Sequence, residues 1–222
     1  MKPFLLISTR DNDRAAWAEH ASVARHAGLA PDDLVHVRLE ATPLTCLDLD
    51  LDAFAGIFLG GSSFNVSDAD KSPLQQRVED DLSLLLGVIV ASDQPFLGLC
   101  YGIGTMTAHL GGLVDRTYGE PVGAATITVT SAGRADPLLE GLPDRFEAFV
   151  GHKEGSNGVP SGVELLATGE ACPVQMYRVG ANVYVTQFHP ELDADDLAER
   201  MRIYQHAGYF RPDELEELVA MA

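Results

Sequence analysis

Short, mainly apolar runs alternating with longer amphipathic stretches constrain the first half of this chain more than any other feature. Residues 4–8 (FLLIS), 34–39, 54–59 (FAGIFL) and 96–99 (FLGL) are too short for buried helices and end in turn or cap residues, so each predicts a buried strand. The third run stops abruptly at Gly60-Gly61. Between the runs, Asp11 or Asn12 is placed to cap a helix running toward Gly28. Residues 72–91 carry Pro73 in the first turn and apolar residues at helical spacing. A helix of small residues follows Cys100 and runs through His109. Strands alternating with helices build parallel βαβ units, which predicts an α/β fold: an open, doubly wound, mostly parallel sheet flanked by helices.

After Gly111-Gly112 the pattern changes. Residues 124–130, 146–150, 163–167, 174–179 and 183–188 read as strands in close succession, with turn signals between them at Gly133, Gly141-Leu142-Pro143 and Asn157-Gly158. Gly180-Ala181-Asn182 joins the last two as a hairpin, so a small antiparallel extension is expected. The chain closes with two helical stretches, 194–207 and 212–221, separated by Gly208. No linker or repeat divides it. With 222 residues, and domains clustering near roughly 100–150 residues, residues 1–222 read as a single domain.

Composition narrows the function classes. Lys plus Arg number 15 and Asp plus Glu 33, a net charge of −18. Such a surface repels phosphate backbones and anionic lipid, so neither nucleic acid nor a membrane surface is an expected partner, and a small-molecule substrate is. Cys46, Cys100 and Cys172 form no disulfide framework and suit a reducing compartment. The apolar run after the N-terminus is too short for a signal sequence, and no stretch approaches the ~20 apolar residues of a membrane span. A cytoplasmic protein is expected. Cys46 and Cys172 lack metal-ligand spacing, and the acidic run 193–196 reads as a helix start, so no metal and no cofactor is expected.

The chemistry concentrates where strands end. In Gly98-Leu99-Cys100-Tyr101-Gly102 a buried strand meets a helix through a Gly-x-Cys-x-Gly turn, the thiol counterpart of the nucleophile elbow. Flanking glycines permit the close backbone approach of such a turn, and a helix N-terminus favours thiolate. The Tyr101 amide would face an oxyanion beside the sulfur. A buried structural cysteine in a glycine-rich strand end is the plainer alternative. In Gln187-Phe188-His189-Pro190-Glu191, His189 is a candidate base and Glu191 a group to orient it. Gly60-Gly61 at a neighbouring strand end offers free amides to complete an oxyanion hole.

Together LGG at 59–61, GLCYG at 98–102 and QFHPE at 187–191 resemble the class I (triad-type) glutamine amidotransferase family, in its order and spacing and over essentially the whole chain. Within that family the chain is most similar to free-standing, GMP-synthase-like members, and the resemblance implies a flavodoxin-like sheet. It further implies that Cys100 attacks the glutamine side-chain amide, giving a γ-glutamyl thioester and ammonia, with His189 and Glu191 completing the triad and the amides of Gly61 and Tyr101 holding the oxyanion. Gly60, Gly104 and His152 are the implied substrate-side positions, and a separate synthetase protein the implied recipient of ammonia.

Three positions depart from the family pattern. Gly104 stands where a substrate-holding glutamine is common, Ser62 where proline is common after the glycine pair, and His152 lies in Gly-His-Lys-Glu rather than Ser-His. The first motivates an alternative, a stand-alone γ-glutamyl peptidase using the same triad. A non-catalytic regulatory protein on the same scaffold is the alternative of a different class. No P-loop and no pyrophosphatase loop is present in the sequence.

Overall fold

A computed structural model of the chain describes residues 2–216. The first half alternates as expected: β1 (Phe4–Thr9), α1 (Asp13–His26), β2 (Leu34–Arg38), β3 (Ile57–Ser62), α2 (Pro73–Ser92), β4 (Phe96–Leu99) and α3 (Tyr101–His109). Local chemistry sets the helix starts. The Asn12 side chain accepts from the Ala15 amide and opens α1, while Ser72 caps α2 by accepting from Gln75, with Pro73 in its first turn. Asp93, in a left-handed conformation, ends α2.

The second half follows with β5 (Val114–Asp115), β6 (Glu120–Val129), α4 (Ser131–Arg134), β7 (Arg145–His152), β8 (Gly155–Ser156), β9 (Val163–Thr168), β10 (Met176–Val179), β11 (Val183–Thr186) and α5 (Ala194–Ile203). One nine-stranded sheet has the order β2-β1-β3-β4-β11-β10-β9-β6-β7, and β5 pairs with β8 in a separate ribbon. Strands β2, β1, β3, β4 and β11 run parallel. The remaining four continue the same sheet in antiparallel pairing. The mostly parallel mixed sheet flanked by helices is thus as expected.

Alternation along β1 shows how the layers form. Leu5 and Ile7 point into a core shared with Leu82, Leu86 and Ile89 of α2 and Met106 of α3. Leu6 points the other way, against Val23 and Ala24 of α1. A further cluster of Leu192, Leu197 and Met201 seats α5 against Val122 of β6 and Phe149 of β7.

Several boundaries moved. The third strand begins at Ile57 and continues through the glycine pair to Ser62, and the segment expected from 174 enters the sheet at Met176. The helix expected over 194–207 ends at Ile203 and is followed by turns and bends. Of the last expected helix, Pro212–Glu214 forms a 3-10 turn, and its part beyond 216 lies outside the described residues. The acidic run does open α5, with Asp193 and Asp196 as a reciprocal capping box. No helix among the described residues is long and apolar enough to cross a membrane.

Candidate active site

Ligand sites in such sheets form at the carboxyl ends of parallel strands. Here β4 and β11 are parallel neighbours, with Leu99 opposite Thr186. Cys100 donates its amide to the Thr186 carbonyl at 2.8 Å. This pairing brings the thiol and the 187–191 segment to one edge. The backbone at Cys100 is strained, with φ 54° and ψ −88°, and Asp93 is the only other non-glycine residue of positive φ among those described. A Cβ at Gly98 would sit 3.0 Å from Val185 and 3.2 Å from the Gly102 Cα, so any side chain there would press on the elbow.

His189 hangs from a bridge to Phe149, where its amide donates to the carbonyl at 2.9 Å. Its Nδ1 lies 2.7 Å from Glu191 Oε1. Cys100 and His189 line one cavity. Burial alone would lower the His189 pKa, but the charges of Glu191 and of the Cys100 sulfur, with hydrogen bonds to both, carry it up to about 9. Burial likewise opposes ionisation of Glu191. The His189 charge and hydrogen bond, helped by Arg200, bring its carboxyl down to about 2. The pair is therefore an ionised imidazolium–carboxylate at neutral pH.

This has a stability signature. His189, raised from 6.5 to about 9, contributes fully below pH 6.5, and the contribution is lost as pH rises through 9. Glu191, depressed from 4.5 to about 2, contributes fully above pH 4.5 and loses its share as pH falls through 2. Thermal melts should therefore show the gap between wild type and His189→Asn narrowing from pH 6.5 to 9. A gap constant over that range would show that His189 is not held as imidazolium.

Other residues of the site carried no signal in the linear motifs. Arg200 of α5 places Nη1 3.2 Å from Glu191 Oε1, completing a buried arrangement around the imidazole. The Ser22 hydroxyl of α1 donates to the Glu191 backbone carbonyl. Arg10, buried at the end of β1, lines the cavity with Cys100, and its guanidinium lies 5.6 Å from the centroid of the Tyr204 ring. After α5, Lys153 Nζ donates to the Ala207 carbonyl at 2.7 Å and sits 4.4 Å from the Tyr209 ring centroid. Tyr209 lines both cavities that Cys100 borders. Burial, followed by the neighbouring Cys100 charge, pushes its phenol up to about 12.

The remaining expected residues fall out differently. Tyr101 opens α3, so its amide is among those a helix leaves without an internal partner. The Gly61 amide, expected to face an oxyanion, donates instead to Glu19 Oε1 at 3.0 Å. The Cα of Gly60 faces the same carboxylate, since a Cβ there would lie 2.2 Å from Glu19 Oε2. Ser62, the next residue, reaches the cavity beside Cys100. Gly104 and His152 both line a second chamber on the α3 side of the thiol, together with Asn65, Glu154 and Gln187. His152 ends β7, and its two ring nitrogens lie 2.7 Å from the Glu154 carbonyl and 2.8 Å from Glu120 Oε2. Both nitrogens are committed, so the ring braces the chamber wall and leaves no nitrogen free for a substrate.

Comparison with known proteins shows the family and the fold. The profile of the family described as glutamine amidotransferase class-I matches residues 33–201. GMP synthase (glutamine-hydrolyzing) of Bacillus mycoides is 36% identical over 99 residues, covering 44% of this chain and 19% of that protein. The enzyme of the same name from Listeria innocua is 33% identical over 138 residues, covering 62% of this chain and 24% of that protein. The matched stretch thus spans only a minor part of these curated relatives. A glutamine amidotransferase structure from Thermotoga maritima superposes with TM-score 0.74 at 19% identity, covering 100% of this chain and 95% of that one. A structure from Thermoplasma acidophilum, described as a GMP synthase subunit, does so with TM-score 0.65 at 20% identity, covering 93% and 99%. At those identities the structural likeness speaks for the fold.

Proposed function

The chain belongs to the class I glutamine amidotransferase family, and from that premise we propose that residues 1–222 act as one cysteine-dependent amidohydrolase domain that releases ammonia from glutamine. The observation carrying this reading is the thiol at a strained strand-to-helix turn, facing an imidazole held at 2.7 Å by a buried carboxylate.

The thiolate of Cys100 attacks the side-chain amide carbon, and the Tyr101 amide donates to the oxygen that gains charge. The His189 imidazolium gives its proton to the nitrogen as the C–N bond breaks, so ammonia leaves and a γ-glutamyl thioester remains. Neutral His189 then takes a proton from water. The hydroxide adds to the thioester, and glutamate departs as the sulfur is expelled. Glu191 keeps Nδ1–H donated to itself throughout, which fixes the tautomer and stabilises the imidazolium. Ammonia then passes to a synthetase on a separate chain, a role supported by the GMP synthase names of the relatives.

Incubation with glutamine, acid quench and mass spectrometry of the Cys100 peptide tests the reading. A γ-glutamyl mass on Cys100 together with released ammonia is expected. Ammonia formed with Cys100 unmodified in single-turnover samples would overturn it.

One observation favours a second reading, a γ-glutamyl hydrolase acting alone. On the His189 side, where the leaving group departs, the cavity continues between Arg10, Val150, Leu192, Arg200 and Phe210. That is more lining than ammonia requires. Relative turnover of glutamine and γ-glutamyl dipeptides separates the two, and a preference for glutamine removes the second.

A further inference from the structure

Two cavities meet at Cys100: the chamber on the α3 side, and the cavity lined by Arg10 and Tyr204. His189 lines the second of these and not the first. In the mechanism above this imidazolium protonates the departing nitrogen. Whatever is attached to that nitrogen is therefore held in the Arg10 cavity, while the acyl part occupies the α3 side.

The lining of the Arg10 cavity is unlike what ammonia needs. Val150, Leu192, Met201 and Phe210 give it an apolar wall, and no acidic side chain lines it. Its polar groups are donors with capacity to spare. Arg10, only 4% exposed, engages Glu19 Oε1 through Nε and Nη2, both at 3.0 Å, and among the described residues no protein acceptor takes Nη1. The Tyr204 ring lies beside that guanidinium, and its buried hydroxyl has no hydrogen-bond partner. A buried hydroxyl without a partner is costly and uncommon, so a ligand acceptor is the missing component. A guanidinium edge next to a hydroxyl matches a carboxylate. An amine, a carboxylate and an aliphatic or aromatic body together describe an α-amino acid with an apolar side chain.

We propose that the Arg10 cavity is a leaving-group subsite for an apolar α-amino acid, and that the domain has a further activity, hydrolysis of γ-glutamyl amides of such amino acids. This rests on the amidohydrolase reading above. The Cys100 thiolate forms the S–C bond to the γ-carbonyl carbon. The C–N bond breaks as His189 gives its proton to the nitrogen, and the free amino acid leaves where ammonia would. Water then hydrolyses the thioester as for glutamine. The leaving carboxylate accepts from Arg10 Nη1 and the Tyr204 hydroxyl, and its side chain lies against the apolar wall.

The test compares kcat/KM for γ-glutamyl-leucine, γ-glutamyl-leucinamide and γ-glutamyl-aspartate, with acylation of Cys100 by glutamine as the reference. Wild type should prefer γ-glutamyl-leucine over the leucinamide compound by roughly 10- to 100-fold, mainly through KM, the scale of hydrogen bonds to a charged group. γ-Glutamyl-aspartate, whose extra carboxylate would face the apolar wall, should be used about tenfold less well or worse. Tyr204→Phe should cut the preference for the carboxylate by about tenfold. Turnover of glutamine but of no γ-glutamyl peptide, equal use of the three peptides, or an undiminished preference in Tyr204→Phe overturns the proposal and leaves the amidohydrolase reading intact. If neither glutamine nor any peptide acylates Cys100, the amidohydrolase reading itself fails. Should Tyr204→Phe not fold, inhibition of wild-type glutamine turnover serves: leucine should inhibit and leucinamide should not, and equal inhibition by both overturns the proposal.

Discussion

Cys100→Ala should reduce ammonia release from glutamine by on the order of 10⁴-fold or more, because the thioester route disappears and only binding and the Tyr101 donor remain. The variant should keep its fold, since alanine occupies the same backbone position and the sulfur is only half-buried. It should also keep its strain. At φ 54° and ψ −88° any residue with a Cβ is held in a sparsely populated conformation, at a cost of about 1–3 kcal/mol. Cys100→Gly relieves that cost and is just as inactive, so it should melt above Cys100→Ala. The two variants together separate the nucleophile from the geometry that presents it. Turnover within tenfold of wild type in either would remove Cys100 from the mechanism, and equal melting temperatures would show that the elbow stores no strain.

What the sequence made legible follows from where the determinants lie. Strand β4, the cysteine turn and α3 could be read because an apolar run, two glycines and a helix start are all local. Ser72 and Pro73 marked the start of α2 for the same reason, and the Gly180-Ala181-Asn182 turn joined β10 to β11 as its composition predicts. Residues Cys100, His189 and Glu191 met because parallel neighbours end together, which a topology of alternating units already implies. The glycine pair misled because its determinant is remote. Gly60-Gly61 reads as a stop, yet the chain stays extended to Ser62 because a carboxylate from α1 fills the space and takes the Gly61 amide. Arg200 carried no local signal because only the packing of α5 brings it to Glu191.

That remote determinant makes the second large prediction. Glu19 is 0% exposed, yet it accepts from Ser8 Oγ at 2.8 Å, Arg10 Nε at 3.0 Å and the Gly61 amide at 3.0 Å. One buried side chain thus fixes the end of β1, the end of β3 and a guanidinium lining the active cavity. Its place was readable in principle, since it shares the buried face of α1 with Ala15, Ala16, Ser22 and Val23, where a carboxylate needs a partner. Glu19→Ala leaves Arg10 buried and unpaired and orphans the Gly61 amide, a loss of about 3–5 kcal/mol. For a chain of this size that is a fall of roughly 6–20 °C in melting temperature. Glu19→Gln keeps an acceptor but removes the charge, so it should fall between Glu19→Ala and wild type. Removing both charges with Arg10→Met and Glu19→Leu should recover much of the loss, because the penalty lies mainly in the stranded cation. Additive losses in that double variant would mean that Arg10 and Glu19 act independently. Activity should not recover with stability, because the double variant no longer places a guanidinium beside Tyr204 or anchors the backbone next to Ser62, and both border the space in which the thiol works.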